Sequence, residues 1–288
     1  MAYQFPRTEV AGVSLPRMII GTNWVAGWSH RSPAADALIT ERHASTEKFA
    51  EMLHIFLDNG INAIMAPFGL EGMQRFLKVI YDIEEKRGEK IILIDTPFVD
   101  IDNTPAARAS AEASIKKSKS VGATFCLLHH SCVERLVNKA TKKIERIDDY
   151  TKMIRDAGLI PGLSAHMPEI VVYSDLNGYD VETYIQIYNC LGFLMQVEIE
   201  TVNRIIHQAK KPVMTIKSMA AGRCTPFVGL NFSWATLRDC DMVTVGCTDP
   251  REVLEDIEIS RAAFEKRAVN LGVRSSPNMN QDAFGKKK

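Results

Sequence analysis

Residues 123–130 read Ala-Thr-Phe-Cys-Leu-Leu-His-His, and this stretch indicates the fold. It begins with apolar and β-branched side chains, which are typical of a strand covered on both faces in a parallel sheet. Two histidines then follow, and imidazoles at the end of such a strand indicate that something polar lies there. If the fold is a barrel of alternating strands and helices, the carboxyl ends of its strands form the face where chemistry is usually carried out.

The rest of the chain repeats this alternation. Eight strand-like runs alternate with eight helix-like runs, and no linker rich in Gly, Ser or Pro divides the chain. Because right-handed βαβ connections with eight strands close naturally into a ring, we predict an α/β fold of the (β/α)8 or TIM-barrel class. The predicted strands lie within residues 17–24, 62–67, 90–98, 123–130, 159–167, 184–189, 213–219 and 241–247.

The sequence predicts one barrel domain over residues 1–273, followed by a polar tail at 274–288 that is disordered or loosely attached. The connection at residues 25–44 is long for a compact domain and irregular in composition. Such a segment is either a lid or binding loop over the site or a disordered surface insertion, and both interpretations stay open.

Charge and cysteine content restrict the class of protein. Lys plus Arg and Asp plus Glu number 35 each, so the formal net charge is zero and no overall field favours nucleic acid or an anionic membrane. The six cysteines form no Cys-x-x-Cys pair, which favours reduced thiols in a cytoplasmic protein. No apolar run is long enough to span a bilayer. We expect a small-molecule substrate as the partner, and the sequence does not predict an oligomeric state.

Polar side chains recur where the predicted strands end. Asp95, His129, His166 and Lys217 would all meet at one face of a barrel. Strand alternation lets only one of His129 and His130 point inward. We predict His129 or His166 as the acid–base group, Asp95 as its partner or a base, and Lys217 as an anion ligand or nucleophile. His129, His166 and Asp95 could also hold a divalent metal such as zinc, manganese or iron.

Each of these residues also has a structural interpretation. His129 could hydrogen-bond a neighbouring loop, and Asp95 before Thr96-Pro97 could be a turn residue or a cap. Lys217 could pair with Asp95 as a structural salt bridge.

The loops after the seventh and eighth strands form the usual phosphate site of a barrel. Here they contain Gly222 and Gly246, and Thr248 stands at the start of the last helix. Asp249 opposes this interpretation, because its carboxylate can occupy the same backbone N–H donors.

Short segments throughout the chain resemble the aldo-keto reductase family. The resemblance covers most of the chain in the same order, and it rests on Gly60-Ile61-Asn62, Leu127-Leu128-His129, Gly162-Leu163-Ser164-Ala165-His166, Gln186 to Asn189, and Val245-Gly246 through Pro250. It implies a (β/α)8 barrel that reduces carbonyl compounds with NADPH.

The catalytic residues that the resemblance implies are replaced. The family's Asp corresponds to Met65 and its Tyr to Phe68, while its Lys falls at or next to Asp95. Only its His has a clear counterpart, His129. Phenylalanine has no proton to give to a developing alkoxide, so the tetrad is degenerate.

The cofactor pattern that the resemblance implies is also altered. The asparagine that holds the nicotinamide amide corresponds to Ala165, and the basic residue at the adenosine phosphate corresponds to Thr248, with Arg251 nearby. Ser164 and Gln186 remain as cofactor-binding candidates. The resemblance therefore implies weakened NADP binding.

We therefore expect an enzyme of another class. It would act on a small polar carbonyl compound, sugar-like or phosphorylated, at the C-terminal face of the barrel. A bound metal ion could assist the reaction. One alternative is an NAD(P)H-dependent carbonyl reductase with a substituted proton donor, such as His129 or Tyr188. A second is a non-catalytic barrel that binds a ligand or a partner.

Overall fold

The computed structural model describes residues 4–271, and the predicted tail at 274–288 lies outside this range. The strands, in chain order, are β1 Arg7–Val10, β2 Val13–Pro16, β3 Met18–Gly21, β4 Ala63–Ala66, β5 Ile92–Asp95, β6 Phe125–Leu128, β7 Val137–Asn138, β8 Lys143–Ile144, β9 Ile160–Ala165, β10 Thr183–Ile187, β11 Val213–Ile216 and β12 Met242–Gly246.

Helices alternate with the strands. They are α1 Pro33–Arg42, α2 Glu47–Asp58, α3 Gln74–Arg87, α4 Pro105–Ser120, α5 His130–Val133, α6 Ile147–Asp156, α7 Glu169–Asn177, α8 Ile199–Gln208, α9 Pro226–Thr236 and α10 Pro250–Glu265. Short 3-10 turns lie at Glu71–Met73, Glu134–Leu136 and Ala220–Gly222. None of the helices between residues 4 and 271 has the length and apolar character needed to cross a bilayer.

Eight parallel strands close into a barrel, which confirms the predicted fold class. The order around the ring is β3, β4, β5, β6, β9, β10, β11 and β12, and β12 pairs with β3 through Val243 to Gly246 against Met18 to Gly21. Each barrel strand lies within a run predicted from the sequence, except that β10 begins one residue earlier, at Thr183. Buried parallel strands are readable in this way because they are apolar on both faces.

Strand alternation divides the core into two layers. Side chains that point into the barrel form one cluster, with Ile19, Met65, Ile94, Leu127 and Met214 among its members. Their neighbours on the same strands point outward and pack with the helices in a larger cluster.

The two ends of the barrel differ. Strands β1 and β2 form an antiparallel hairpin just before β3, and its Val10 and Leu15 join the inner cluster. The hairpin therefore covers the N-terminal end of the barrel, whereas the C-terminal end opens into a cavity.

The connection at residues 25–44 is not wholly irregular, because it contains α1. Ser32 caps this helix by accepting a hydrogen bond from the backbone N–H of Ala35, and Pro33 takes its first position. Its only buried residue is Ile39. A helix with a single buried side chain has no apolar stripe, so the sequence pattern gives no sign of it.

Candidate active site at the barrel mouth

A cavity of about 830 Å³ lies at the C-terminal ends of the barrel strands. Strand-end residues form its floor, among them Gly21, Met65, His129, Ser164, Ile216 and Gly246. Trp24, Trp28, His30 and Arg31 from the segment after β3 line its side, as do Lys217 and Arg223 from the loop after β11.

Asp95 is not part of this cavity. On β5, Ile94 points into the barrel and belongs to the inner cluster, so the next residue, Asp95, points outward toward the helices. One carboxylate oxygen of Asp95 accepts a hydrogen bond from the backbone N–H of Phe68 at 2.9 Å, and burial raises the pKa of the group. The predicted metal set of His129, His166 and Asp95 is therefore not assembled, and Asp95 forms no ion pair with Lys217.

Three histidines meet at the side of the cavity formed by β6 and β9. The ring centroids of His129 and His130 lie 4.2 Å apart, and those of His130 and His166 lie 3.6 Å apart in a stacked arrangement. All three line the cavity. The expectation that only one of His129 and His130 faces it does not hold, because β6 ends at Leu128 and His130 begins α5, so strand alternation no longer applies.

Glu134 contacts two of these histidines, His130 through its ring and His166 through its backbone. Its Oε1 accepts hydrogen bonds from the backbone N–H groups of His166 at 2.6 Å and Met167 at 2.9 Å. Its Oε2 lies 3.6 Å from Nδ1 of His130. Burial raises the pKa of Glu134, but the approach of His130 and the backbone N–H groups of Met167 and His166 outweigh it and lower the pKa to about 2. Glu134 is therefore an ionised carboxylate at neutral pH.

Two of the imidazoles are neutral. Burial, and then the charge of His130, lowers the pKa of His129 to about 4. Burial, and then the charges of Lys217 and His130, lowers the pKa of His166 to about 3. Neutral imidazole can accept a proton or bind a metal, so these rings can do either.

Lys217 follows β11 in a left-handed backbone conformation with φ of 62°. Ala220 and Ala221 in the same loop also have positive φ, and each such residue costs roughly 1–2 kcal/mol. The surrounding structure holds this strained loop, and strain of this kind concentrates at functional sites.

The Lys217 side chain lines the cavity and is half-buried there. Burial lowers its pKa to about 8, so an appreciable fraction of the amine is unprotonated near neutral pH. Among residues 4–271, no carboxylate forms an ion pair with it. An unpaired amine in a cavity can contact a ligand that brings an opposite charge or a carbonyl group.

The predicted phosphate site is covered by a tryptophan. A Cβ placed on Gly246 would lie 2.9 Å from Cδ1 of Trp24, and one on Gly222 would lie 3.4 Å from Cη2 of the same ring. The indole therefore packs directly on the two glycines that were expected to approach a phosphate.

The start of α10 is occupied by the protein's own carboxylates. The backbone N–H of Thr248 donates to Glu252 at 2.6 Å, and that of Arg251 donates to the capping Asp249 at 3.1 Å. The Arg251 guanidinium also pairs with Asp249, and Lys48 contacts the same carboxylate at 3.2 Å. The groups expected to meet a phosphate are therefore already paired, as Asp249 suggested.

The segment at residues 25–44 adds to this network. Arg42 donates to the hydroxyl of Thr248 at 2.9 Å, and a ring nitrogen of His43 lies 3.1 Å from the Thr248 carbonyl oxygen. The end of α1 is therefore attached to the turn between β12 and α10.

The remaining cofactor candidates differ in position. Ser164 lines the cavity, next to His166. Gln186 is fully buried, and its Nε2 lies within hydrogen-bond distance of the carbonyl oxygens of His166 and Ile187, so it supports the backbone. Met65 lines the cavity and Phe68 is buried beside Asp95.

Sequence reasoning did not single out Glu134 or Trp24, named Arg223 only as the end of the loop after the seventh strand, and left open which of His129 and His130 faces the site. The spacing of His130 and Glu134, four residues apart, was the available signal, because such residues share one face of a helix. The other two lie in loops, whose course is not readable from periodicity.

Comparison with known proteins places the fold. No known family model matches the chain, and no curated protein matches it. Among solved structures, a protein from Pseudomonas aeruginosa provisionally classed as an aldo-keto reductase is 15% identical with a TM-score of 0.63, over 92% of this chain and 98% of that one. The fold is that of the aldo-keto reductases.

Two other solved structures show how wide this likeness is. An aldo/keto reductase from Klebsiella pneumoniae, solved with NADP and acetate, is 13% identical with a TM-score of 0.55, over 92% of this chain and 91% of that one. A 3-deoxy-D-arabino-heptulosonate 7-phosphate synthase from Thermotoga maritima is 11% identical with a TM-score of 0.50, over 93% and 95% of the two chains. Likeness at this distance establishes the barrel, and the reaction must be argued from the site.

Proposed function

We propose that this barrel is an enzyme that acts on a small anionic carbonyl compound, sugar-like or phosphorylated, at the C-terminal mouth. The single observation that supports this is Lys217. It is an amine in a strained loop, it lines an 830 Å³ cavity, and no carboxylate in the described part of the chain pairs with it.

Lys217 can meet such a substrate in two ways. As an ammonium it binds a phosphate or carboxylate, with Arg31 and Arg223 on the same cavity wall. As a free amine its Nζ attacks the carbonyl carbon, and the resulting carbinolamine loses water to give an imine. The proton that Nζ releases and the proton that the departing hydroxide needs pass through His129 or His166.

The surroundings favour a carbonyl over a bulky or apolar substrate. His129 and His166 supply neutral imidazoles to the cavity, and Lys217 lines the same cavity, near enough to His166 for its charge to lower the pKa of that ring. A substrate that contacts both the imidazoles and the amine needs more than one polar group.

The reductase alternative lacks a fitting cofactor groove. Trp24 covers Gly222 and Gly246, the Thr248 N–H is bonded to Glu252, and Arg251 is bonded to Asp249. These residues do not fit the phosphates of NADP, and the proposed reaction contains no hydride transfer.

Reductive trapping tests the proposal. Purified protein is incubated with glyceraldehyde 3-phosphate and sodium borohydride, and the modified residue is located by peptide mass spectrometry. We expect one adduct, at Lys217, in the wild type and none at that position in the Lys217→Arg variant, which keeps the charge but cannot form the imine.

Two controls separate the roles of the two ends of the substrate. Glyceraldehyde lacks the anion and glycerol 3-phosphate lacks the carbonyl, so the first should trap poorly and the second should bind without trapping. Labelling spread over many surface lysines and unchanged in Lys217→Arg would contradict the proposal. Binding that is lost in Lys217→Met but never leads to trapping would favour the non-catalytic barrel.

A further inference from the structure

We propose that His130, Glu134 and His166 form a binding site for a divalent transition-metal ion. The inference deepens the proposed function, on which its catalytic meaning rests, but binding of the metal is measured without any substrate. The set differs from the one predicted from the sequence, in which His129 and Asp95 took the places of His130 and Glu134.

The distances between the donor atoms suit one ion. One ring nitrogen from each histidine and one carboxylate oxygen of Glu134 all lie within 4.8 Å of one another. Nδ1 of His130 and Oε2 of Glu134 are 3.6 Å apart. Two ligands at 2.0–2.2 Å from a tetrahedral ion lie roughly 3.4 Å from each other, so the His130–Glu134 pair already has the spacing of one ion, and the stacked rings of His130 and His166 must turn for both to point at it.

The pairing within the protein leaves these donors available. Nδ1 of His130 is buried and has no hydrogen-bond partner among the described residues. A buried polar atom left unpaired costs about 1–3 kcal/mol, which a bound ion would offset. Glu134 uses Oε1 for the backbone N–H groups of His166 and Met167, so Oε2 is directed to the site while the carboxylate is held in place.

The local fold brings the three ligands together. His130 is the first residue of α5 and Glu134 lies four residues later, so both project from one face. His166 follows directly after β9, the strand that pairs with β6, and its ring stacks on that of His130. The hydrogen bonds between Glu134 and the His166 backbone fix this arrangement.

The chemistry of the three ligands indicates which ions they suit and whether the site is catalytic or structural. Two imidazoles and one carboxylate suit zinc, iron(II) or manganese(II). Three protein ligands leave at least one coordination position open, which is the pattern of catalytic rather than structural metal sites. Both histidines line the cavity that contains Lys217, so the open position would face the substrate.

Metal titration tests this inference. Protein freed of metal by a chelator is titrated calorimetrically with Zn²⁺, and Co²⁺ binding is followed by visible absorption. We expect one ion per chain with micromolar or tighter affinity. His130→Ala and His166→Ala should each weaken binding by at least about 100-fold.

Two further variants separate a metal ligand from a structural residue. Glu134→Gln keeps an acceptor for the two backbone N–H groups but loses the anionic ligand, so it should fold normally and bind metal at least about 10-fold more weakly. His129→Ala removes the neighbouring imidazole and should change affinity less than threefold. The thermal midpoint of each variant verifies folding.

The results of the metal titrations can be told apart from the results of reductive trapping at Lys217. Absence of stoichiometric binding, or equal losses in His129→Ala and His130→Ala, would overturn the metal site. If trapping at Lys217 nevertheless succeeds, the proposed function stands without the metal. If the metal binds as described and trapping fails, the metal site stands and the function proposed for Lys217 falls.

Discussion

The two sides of the barrel mouth differ in how their basic groups are paired. On the side of β6, β9 and β11, Lys217 has no ion-pair partner among residues 4–271, and Nδ1 of His130 has no hydrogen bond. On the side of β12 and α10, the groups predicted to meet a phosphate, Thr248, Asp249 and Arg251, are all bonded to protein groups, whereas Oγ1 of Thr244 and Oδ1 of Asp256 have no hydrogen bond among the described residues. We refer to these as the lysine side and the α10 side.

The difference shows how polar residues that can bind a ligand are distinguished from polar residues that are bonded within the protein. Folding pairs buried polar groups wherever it can, because an unpaired one costs free energy. A basic group that lines a cavity without an ion-pair partner in the described part of the chain, such as Lys217, is therefore available to a ligand. The glycines and helix start on the α10 side have the residue types of a phosphate site, but their donors are already used.

The largest predicted effect concerns stability on the α10 side. Asp256 is 2% exposed, and burial, opposed by a hydrogen bond from the Cys247 thiol, raises its pKa to about 8. The folded state therefore keeps this proton up to about pH 8, whereas the unfolded state loses it near pH 3.9. The unfolded state binds fewer protons in between, so stability falls as pH rises, by up to about 1.4 kcal/mol per unit.

The Asp256→Asn variant should lack this pH dependence. Urea unfolding at pH 5 and pH 8 should show a wild-type loss that exceeds the variant's by roughly 4 kcal/mol. Equal losses in the two proteins would mean that Asp256 is ionised in the folded state and that the α10 side carries an unpaired charge.

The next effect concerns ligand binding on the lysine side. Lys217→Met should weaken binding of glyceraldehyde 3-phosphate by about 100-fold, because the ligand loses a charge-assisted hydrogen bond in a buried site. Arg251→Met, on the α10 side, should change the affinity less than twofold, since its guanidinium is paired with Asp249. Calorimetry of both variants gives the two values, and similar losses would contradict the distinction between the sides.

The smallest effect again concerns the α10 side. Asp249→Ala should lower the free energy of unfolding by about 1 kcal/mol, because it removes the cap of α10 and the partner of Arg251 and Lys48. Asp82→Ala, which breaks an exposed pair with Lys78 within one helix, is the matched control and should cost less than about 0.5 kcal/mol. Equal effects in denaturant unfolding would show that Asp249 is not structural.

The barrel was readable from the sequence, but the direction of its side chains was not. Runs such as Ile92 to Asp95 are buried on both faces, so their pattern does not say which residues point inward. Asp95 was therefore assigned to the mouth, although it faces Ser118 of α4. His129 was also assigned to the mouth, and it lines the cavity directly after the end of β6.

The partners of the site residues depended on chain sections that periodicity does not describe. Glu134 lies after a helix of four residues, and Trp24 lies in a loop. Their contacts with His166 and Gly246 join segments far apart in the sequence. Only the folded structure therefore shows that Glu134 lies against the histidines and that Trp24 packs on the predicted phosphate site.

A paired calorimetric titration of the wild-type protein tests the central claim most directly. One titration uses glyceraldehyde 3-phosphate and the other uses NADPH, under the same buffer and salt. We predict saturable binding of the phosphorylated aldehyde and no binding of NADPH at millimolar concentration. Micromolar binding of NADPH without binding of the aldehyde would show that the α10 side, not the lysine side, is the ligand site.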